Sequence, residues 1–119
     1  MERLLILRLG SMGDVVHALP AVHLLRRALP HVSLGWAIEE RWSELVVARS
    51  TAPTSTPLVD ALHYINARAW RYALLSDETW REIIGEMLDL RAVRYDAVVD
   101  FQGLWKSAAL AAWSGAPLR

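Results

Sequence analysis

Leu4 to Leu9 is an apolar run interrupted only by Arg8, and it leads directly into Gly10-Ser11-Met12-Gly13-Asp14 and a stretch with helical spacing. A run of this kind suits a strand covered on both faces. After the loop, Val15, Leu19, Val22, Leu25 and Leu29 fall on one helical face, and His17, Arg26 and Arg27 are expected to reach solvent. Pro20 removes an amide donor and crowds the preceding turn, so a kink or restart is expected there, and Pro30 ends the helix. Strand, glycine loop and helix in this order place Asp14 at the carboxyl end of a buried strand. Open parallel sheets bind their ligands at that end.

The same alternation continues along the chain. Val32 to Ile38 predicts a second strand, Trp42 to Ala48 a short helix, Ser50 to Pro57 a polar, proline-marked loop, and Val59 to Ile65 a weaker third strand. Asn66 to Leu75 fits neither period. Ser76-Asp77-Glu78 opens a helix, with acids where the helix dipole favours them, and that helix extends from Thr79 to about Val93 with Ile83, Met87 and Leu90 inward. Tyr95 to Phe101 predicts a fourth strand, Gln102-Gly103 a turn, and Leu104 to Trp113 a last helix closed by Gly115 and Pro117. Strands alternating with helices imply a parallel sheet with right-handed crossovers. The chain stops just after a strand–helix unit, which suggests the front part of something longer.

Composition removes several classes of function. The chain has 119 residues, and its 13 basic residues balance its 13 acidic ones, so no charge surplus points to nucleic acid. There is no cysteine, which excludes disulfides and thiolate metal sites. The four histidines have no metal-binding spacing, and no metal is expected. The apolar runs are too short and interrupted to span a bilayer, and no secretory signal is visible, so the cytoplasm is the expected compartment.

Three segments hold residues suited to chemistry. In the first loop, Gly10 and Gly13 permit backbone angles that other residues avoid, and the helix start offers amides to an anion. The spacing is neither the dinucleotide fingerprint nor a Walker loop. Asp14 either caps the helix or acts as a general base. The second segment is Asp100 to Ser107, where Gln102 suits sugar hydroxyls and Lys106 an anion; the plainer alternative is a turn followed by a solvated lysine. If the first and fourth strands are neighbours, this loop faces the first across a crevice. The third is Arg68-Ala69-Trp70-Arg71-Tyr72: its arginines suit phosphates and carboxylates, and Trp70 either stacks on a sugar or fills the core. His17, one turn into the first helix, is near enough to approach the site, and the other histidines are read as surface or packing residues. A non-enzymatic α/β ligand-binding or signalling module is the alternative. A receiver-type domain normally clusters acids after its first strand, whereas a single acid stands here.

Leu9 to Ala21 (Leu-Gly-Ser-Met-Gly-Asp-Val-Val-His-Ala-Leu-Pro-Ala), Trp36 to Glu40, and Tyr95 to Ala109 with its Asp-Phe-Gln-Gly-Leu-Trp-Lys-Ser core together resemble the lipopolysaccharide heptosyltransferases. The three blocks run from one end of the chain to the other. The resemblance implies an inverting glycosyltransferase of GT-B type, this chain being an incomplete, Rossmann-like amino-terminal domain on the acceptor side, inactive alone. The other half would bind most of the donor, ADP-heptose, and no cofactor is implied. Carried over by position, Asp14 matches the catalytic base, and Ser11 and Gly13 match the loop that shapes the site. Arg68 falls where the family holds its acidic acceptor and Arg71 lies close by, although Tyr72 stands where another basic residue is expected. Gln102 and Lys106 match the Gln-Gly-Leu-x-Lys-Ser motif. The implied partners are a nucleotide sugar and the lipid-linked Kdo acceptor, and the implied place is the cytoplasmic face of the inner membrane.

Overall fold

A computed structural model describes residues 1–50, 58–101 and 105–117, with side chains given for all of these except 47–50 and 105–107. Its elements are β1 (Arg3–Leu7), α1 (Met12–Ala28), β2 (Ser33–Ile38), a 3-10 turn (Glu40–Trp42), α2 (Ser43–Ser50), β3 (Ala61–Tyr64), α3 (Ala67–Arg71), α4 (Asp77–Ala92), β4 (Ala97–Asp100) and α5 (Trp105–Trp113). The strands form one parallel sheet in the order β3-β2-β1-β4. The expected strand–helix alternation is present, and β1 and β4 are neighbours, with Leu7 beside Asp100.

Alternation along each strand divides the core into two layers. Ile6 and Trp36 pack with Val15, Leu19 and Val22 of α1, and Leu4 and Leu34 lie on that same side against Leu25 and Leu29. Leu5, Leu7, Ala37 and Val98 point the other way, toward Leu90 of α4 and Ala111 of α5. Covering on both faces is why β1 reads as an almost continuous apolar run. Trp70 joins the second layer at 7% exposure and therefore fills the core.

Several local expectations change. The helix passes through Pro20 without restarting; the ring lies on the solvent face, where it removes one backbone hydrogen bond and displaces no packed side chain. Arg26 is not solvated: it donates to the Leu58 and Val32 carbonyls and pairs with Asp60 at 2.7 Å, which ties α1 to the starts of β2 and β3. Helix α2 continues through Ser50, and residues 51–57 of the expected loop lie outside the described residues.

The sheet's second face carries a buried polar pair. His63 of β3 is buried, and its Nε2 lies 2.7 Å from Tyr95 Oη. Burial lowers the His63 pKa, outweighing the opposite pull of Asp89, and burial with the Asp60 charge pushes the Tyr95 phenol up to about 12. The unfolded chain therefore binds a proton at His63 more readily than the folded one. Stability from this group is full above the ordinary histidine pKa near 6.5 and is lost as pH falls through that value toward the lower folded one. The stability advantage of wild type over His63→Gln should shrink between pH 7 and pH 5, as measured by urea unfolding; an advantage independent of pH would contradict the buried neutral imidazole.

Candidate functional site

The chain winds from β1 outward to β2 and β3, then crosses back to place β4 on the other side of β1. The gap above the carboxyl ends of β1 and β4 is the switch point, where an open α/β sheet forms its binding crevice. Asp14 stands at the third residue of α1, with its side chain half exposed. Its Oδ2 accepts from the Ser11 amide at 3.1 Å and lies 3.2 Å from Ser11 Oγ, and its Oδ1 pairs with Arg8 Nη2 at 2.7 Å. The Ser11 amide first, and then the Arg8 guanidinium, outweigh partial desolvation and hold the carboxyl below the usual carboxylate range. At neutral pH the group is ionised and partly open to solvent. It is also a helix cap, since it satisfies the Ser11 amide at the start of α1.

Arg8 is the residue that sequence reasoning passed over. Besides holding Asp14, it donates from Nη1 to the Phe101 carbonyl at 2.6 Å, joining the end of β1 to the end of β4. Its signal was an arginine inside an apolar run, two residues before a loop ending in an acid. A guanidinium there is costly unless paired.

The loop glycines serve other purposes than expected. Neither Gly10 nor Gly13 has a left-handed φ. Gly10 packs closely against Trp42, where a Cβ would come 3.0 Å from the indole nitrogen, while a Cβ at Gly13 would meet nothing within 4 Å. Close approach explains the first glycine, and packing requires nothing of the second.

The rim continues toward β3. The Glu39 amide donates to the Leu9 carbonyl at 2.9 Å, and the Glu39 carboxyl carbon is 3.6 Å from where a Gly10 Cβ would stand. Glu39 also helps line a hollow of about 550 Å³ with Arg41, Asn66, Arg68 and Tyr72. Arg68 thus shares a hollow with Glu39, the residue that borders Gly10. Arg71 is exposed and does not line the hollow; its guanidinium lies over the Tyr72 ring at 5.7 Å. His17 is exposed on α1. Gln102 lies outside the described residues; Lys106 belongs to the first turn of α5, with its side chain outside them. Among the described residues, no group of three His, Cys, Asp or Glu side chains is placed to hold a metal ion, and no helix is long and apolar enough to cross a membrane.

A four-stranded parallel sheet with helices on both faces and an acid-bearing loop at its switch point is a Rossmann-like α/β architecture, and glycosyltransferases contain it. The same fold occurs in the family 9 glycosyl transferase from Veillonella parvula, at a TM-score of 0.73 over 98% of this chain with 22% identity. In sequence, the chain is homologous to lipopolysaccharide heptosyltransferase 1. It is 38% identical to the Salmonella typhimurium LT2 protein over 108 residues, covering 91% of this chain and 32% of that protein. It is 35% identical to the Pseudomonas aeruginosa PAO1 protein over 116 residues, covering 95% of this chain and 30% of that one. The E. coli heptosyltransferase WaaC, solved with ADP, superposes at a TM-score of 0.77 with 36% identity, over 92% of this chain and 32% of that one. No protein-family profile matches. The chain spans about a third of the length of the curated relatives it matches.

Proposed function

We propose that this chain is the acceptor-side, amino-terminal domain of an inverting transferase that moves heptose from ADP-heptose to the Kdo inner core of lipopolysaccharide. Asp14 is the base. The observation that carries the reading is an ionised, half-exposed carboxylate fixed by Arg8 and Ser11 at the start of α1, beside the switch point between β1 and β4. As the acceptor oxygen attacks the anomeric carbon, the new C–O bond forms, the bond to the ADP oxygen breaks with inversion, and the hydroxyl proton passes to Asp14. A carboxylate with a lowered pKa is a weak base toward a free alcohol. It suffices when the proton leaves late, after bond formation has made the hydroxyl acidic. No covalent intermediate is required.

Arg68, in the hollow lined by Glu39 and Asn66, suits the carboxylates and phosphates of the acceptor, with Arg71 nearby on α3, and the residue types of Gln102 and Lys106 suit sugar hydroxyls and an anion. The donor nucleotide belongs to a second, Rossmann-like half outside this chain. WaaC has been solved with ADP and with ADP-2-deoxy-2-fluoro heptose, which supports a nucleotide sugar as donor. A lipid-linked acceptor calls for work at the cytoplasmic face of the inner membrane.

A chimera tests this assignment: the E. coli lipopolysaccharide heptosyltransferase 1, 37% identical over 108 residues, with the matched third replaced by this chain. It is expected to transfer heptose from ADP-heptose to a Kdo acceptor and invert the anomeric centre. A folded chimera that binds both substrates and transfers nothing would remove the assignment.

A further inference from the structure

We propose that Arg8 is a positioning residue that fixes the Asp14 carboxylate across the β1–β4 crevice by gripping it and the Phe101 carbonyl in one guanidinium fork. This rests on the reading of Asp14 as the base. The backbone at Arg8 is itself held: its amide donates to the Ala37 carbonyl at 3.3 Å, and its carbonyl accepts the Trp36 indole N–H at 3.0 Å. From that fixed point the side chain extends with only 18% exposure, and its two Nη atoms serve different elements. Nη1 donates to the Phe101 carbonyl at 2.6 Å, at the end of β4. Nη2 pairs with Asp14 Oδ1 at 2.7 Å, in the first turn of α1.

The two carboxylate oxygens are thereby anchored from opposite sides, Oδ1 by Arg8 and Oδ2 by Ser11. Rotation about the Cβ–Cγ bond is restricted, while the half-exposed carboxylate keeps lone pairs free for an incoming hydroxyl. Among the described residues, Arg8 is the charged side chain that acts on Asp14, and Ser11 supplies the other polar contacts. A guanidinium has N–H donors and no acceptor, so Arg8 holds Oδ1 without competing for the acceptor's hydroxyl proton. An arginine that only closes the end of the sheet would leave the titration and turnover of Asp14 unaffected, which separates the two roles.

The first measurement uses the 119-residue chain without substrate: a carboxyl-carbon NMR titration of Asp14 in wild type, Arg8→Met and Arg8→Lys. In Arg8→Met the Asp14 midpoint is expected to rise by about half to one pH unit, with a shift of the Phe101 carbonyl resonance; Arg8→Lys should keep the midpoint within a few tenths of wild type. An unchanged midpoint in folded Arg8→Met overturns the proposal. Should Arg8→Met not fold, the wild type decides: a gripped guanidinium shows separate, slowly exchanging Nη–H signals that merge in Asp14→Asn, and free rotation in wild type overturns the proposal. In the chimera, Arg8→Met should lower kcat about tenfold with little change in acceptor KM, and Arg8→Lys should restore it. Parental kcat in Arg8→Met beside an inactive Asp14→Asn removes the positioning role alone. Parental kcat in Asp14→Asn removes the base itself.

Discussion

Gly35→Ala is expected to destabilise the chain by roughly 3–5 kcal/mol and lower its melting temperature by more than about 10 °C. Gly35 lies in β2, paired with Leu5 of β1, on the sheet face that carries His63 and Tyr95. A Cβ there would overlap the Tyr95 hydroxyl and come 2.6 Å from Tyr95 Cζ. The ring is 3% exposed, and its hydroxyl is bound to buried His63, so it has nowhere to turn without breaking that bond. Overpacking a core costs about 1–3 kcal/mol, and leaving a buried polar group unpaired costs about as much again. A total stability of about 5–15 kcal/mol leaves little margin. Truncating the ring should relieve the overlap, so Tyr95→Ala should cost less in the Gly35→Ala background than in wild type. Equal costs in both backgrounds, measured by urea unfolding, would mean that the two residues do not meet.

Asp14→Asn is expected to reduce transfer by about 10²–10⁴ in the chimera while leaving the fold intact. Asparagine has nearly the same shape, and its amide oxygen can still accept the Ser11 N–H that the carboxylate now takes at 3.1 Å. It carries no charge for Arg8 and cannot take up the acceptor proton. The loss should therefore fall on kcat, with acceptor KM changed by less than a few fold. Asp14→Ala should lose as much activity and some stability as well, because it also removes the cap of α1.

Much of the frame was legible in the residues. The unbroken apolar character of Leu4–Leu7 follows from burial on both faces, and the periodicities of α1 and α4 follow from packing against one layer each. The assignment of Ile83, Met87 and Leu90 to the inner face holds for the same reason. Short elements were harder. The four-residue β3 and five-residue α3 draw their definition from neighbours: the Ile65 amide bonds to the Ile38 carbonyl, and Trp70 is buried in the core. Position along the chain reveals such partners poorly.

The site was half legible. Asp14, Ser11 and Gly13 are consecutive enough for local rules to place them together. Arg8 holds a carboxylate six residues away and a carbonyl 93 residues away, and only the parallel pairing of β1 with β4 makes the second contact possible. Arg26 misled for a similar reason, since its partners Leu58 and Asp60 arrive with β3. Local spacing also could not show that Gly10 is small because Trp42 lies against it.

The most direct test of a base at the switch point is a single turnover of the chimera with saturating ADP-heptose and a Kdo acceptor, comparing Asp14 with Asp14→Asn. The expected result is acceptor binding within a few fold of the parent and a transfer rate below about one hundredth of it. A parental transfer rate in Asp14→Asn would contradict the central claim.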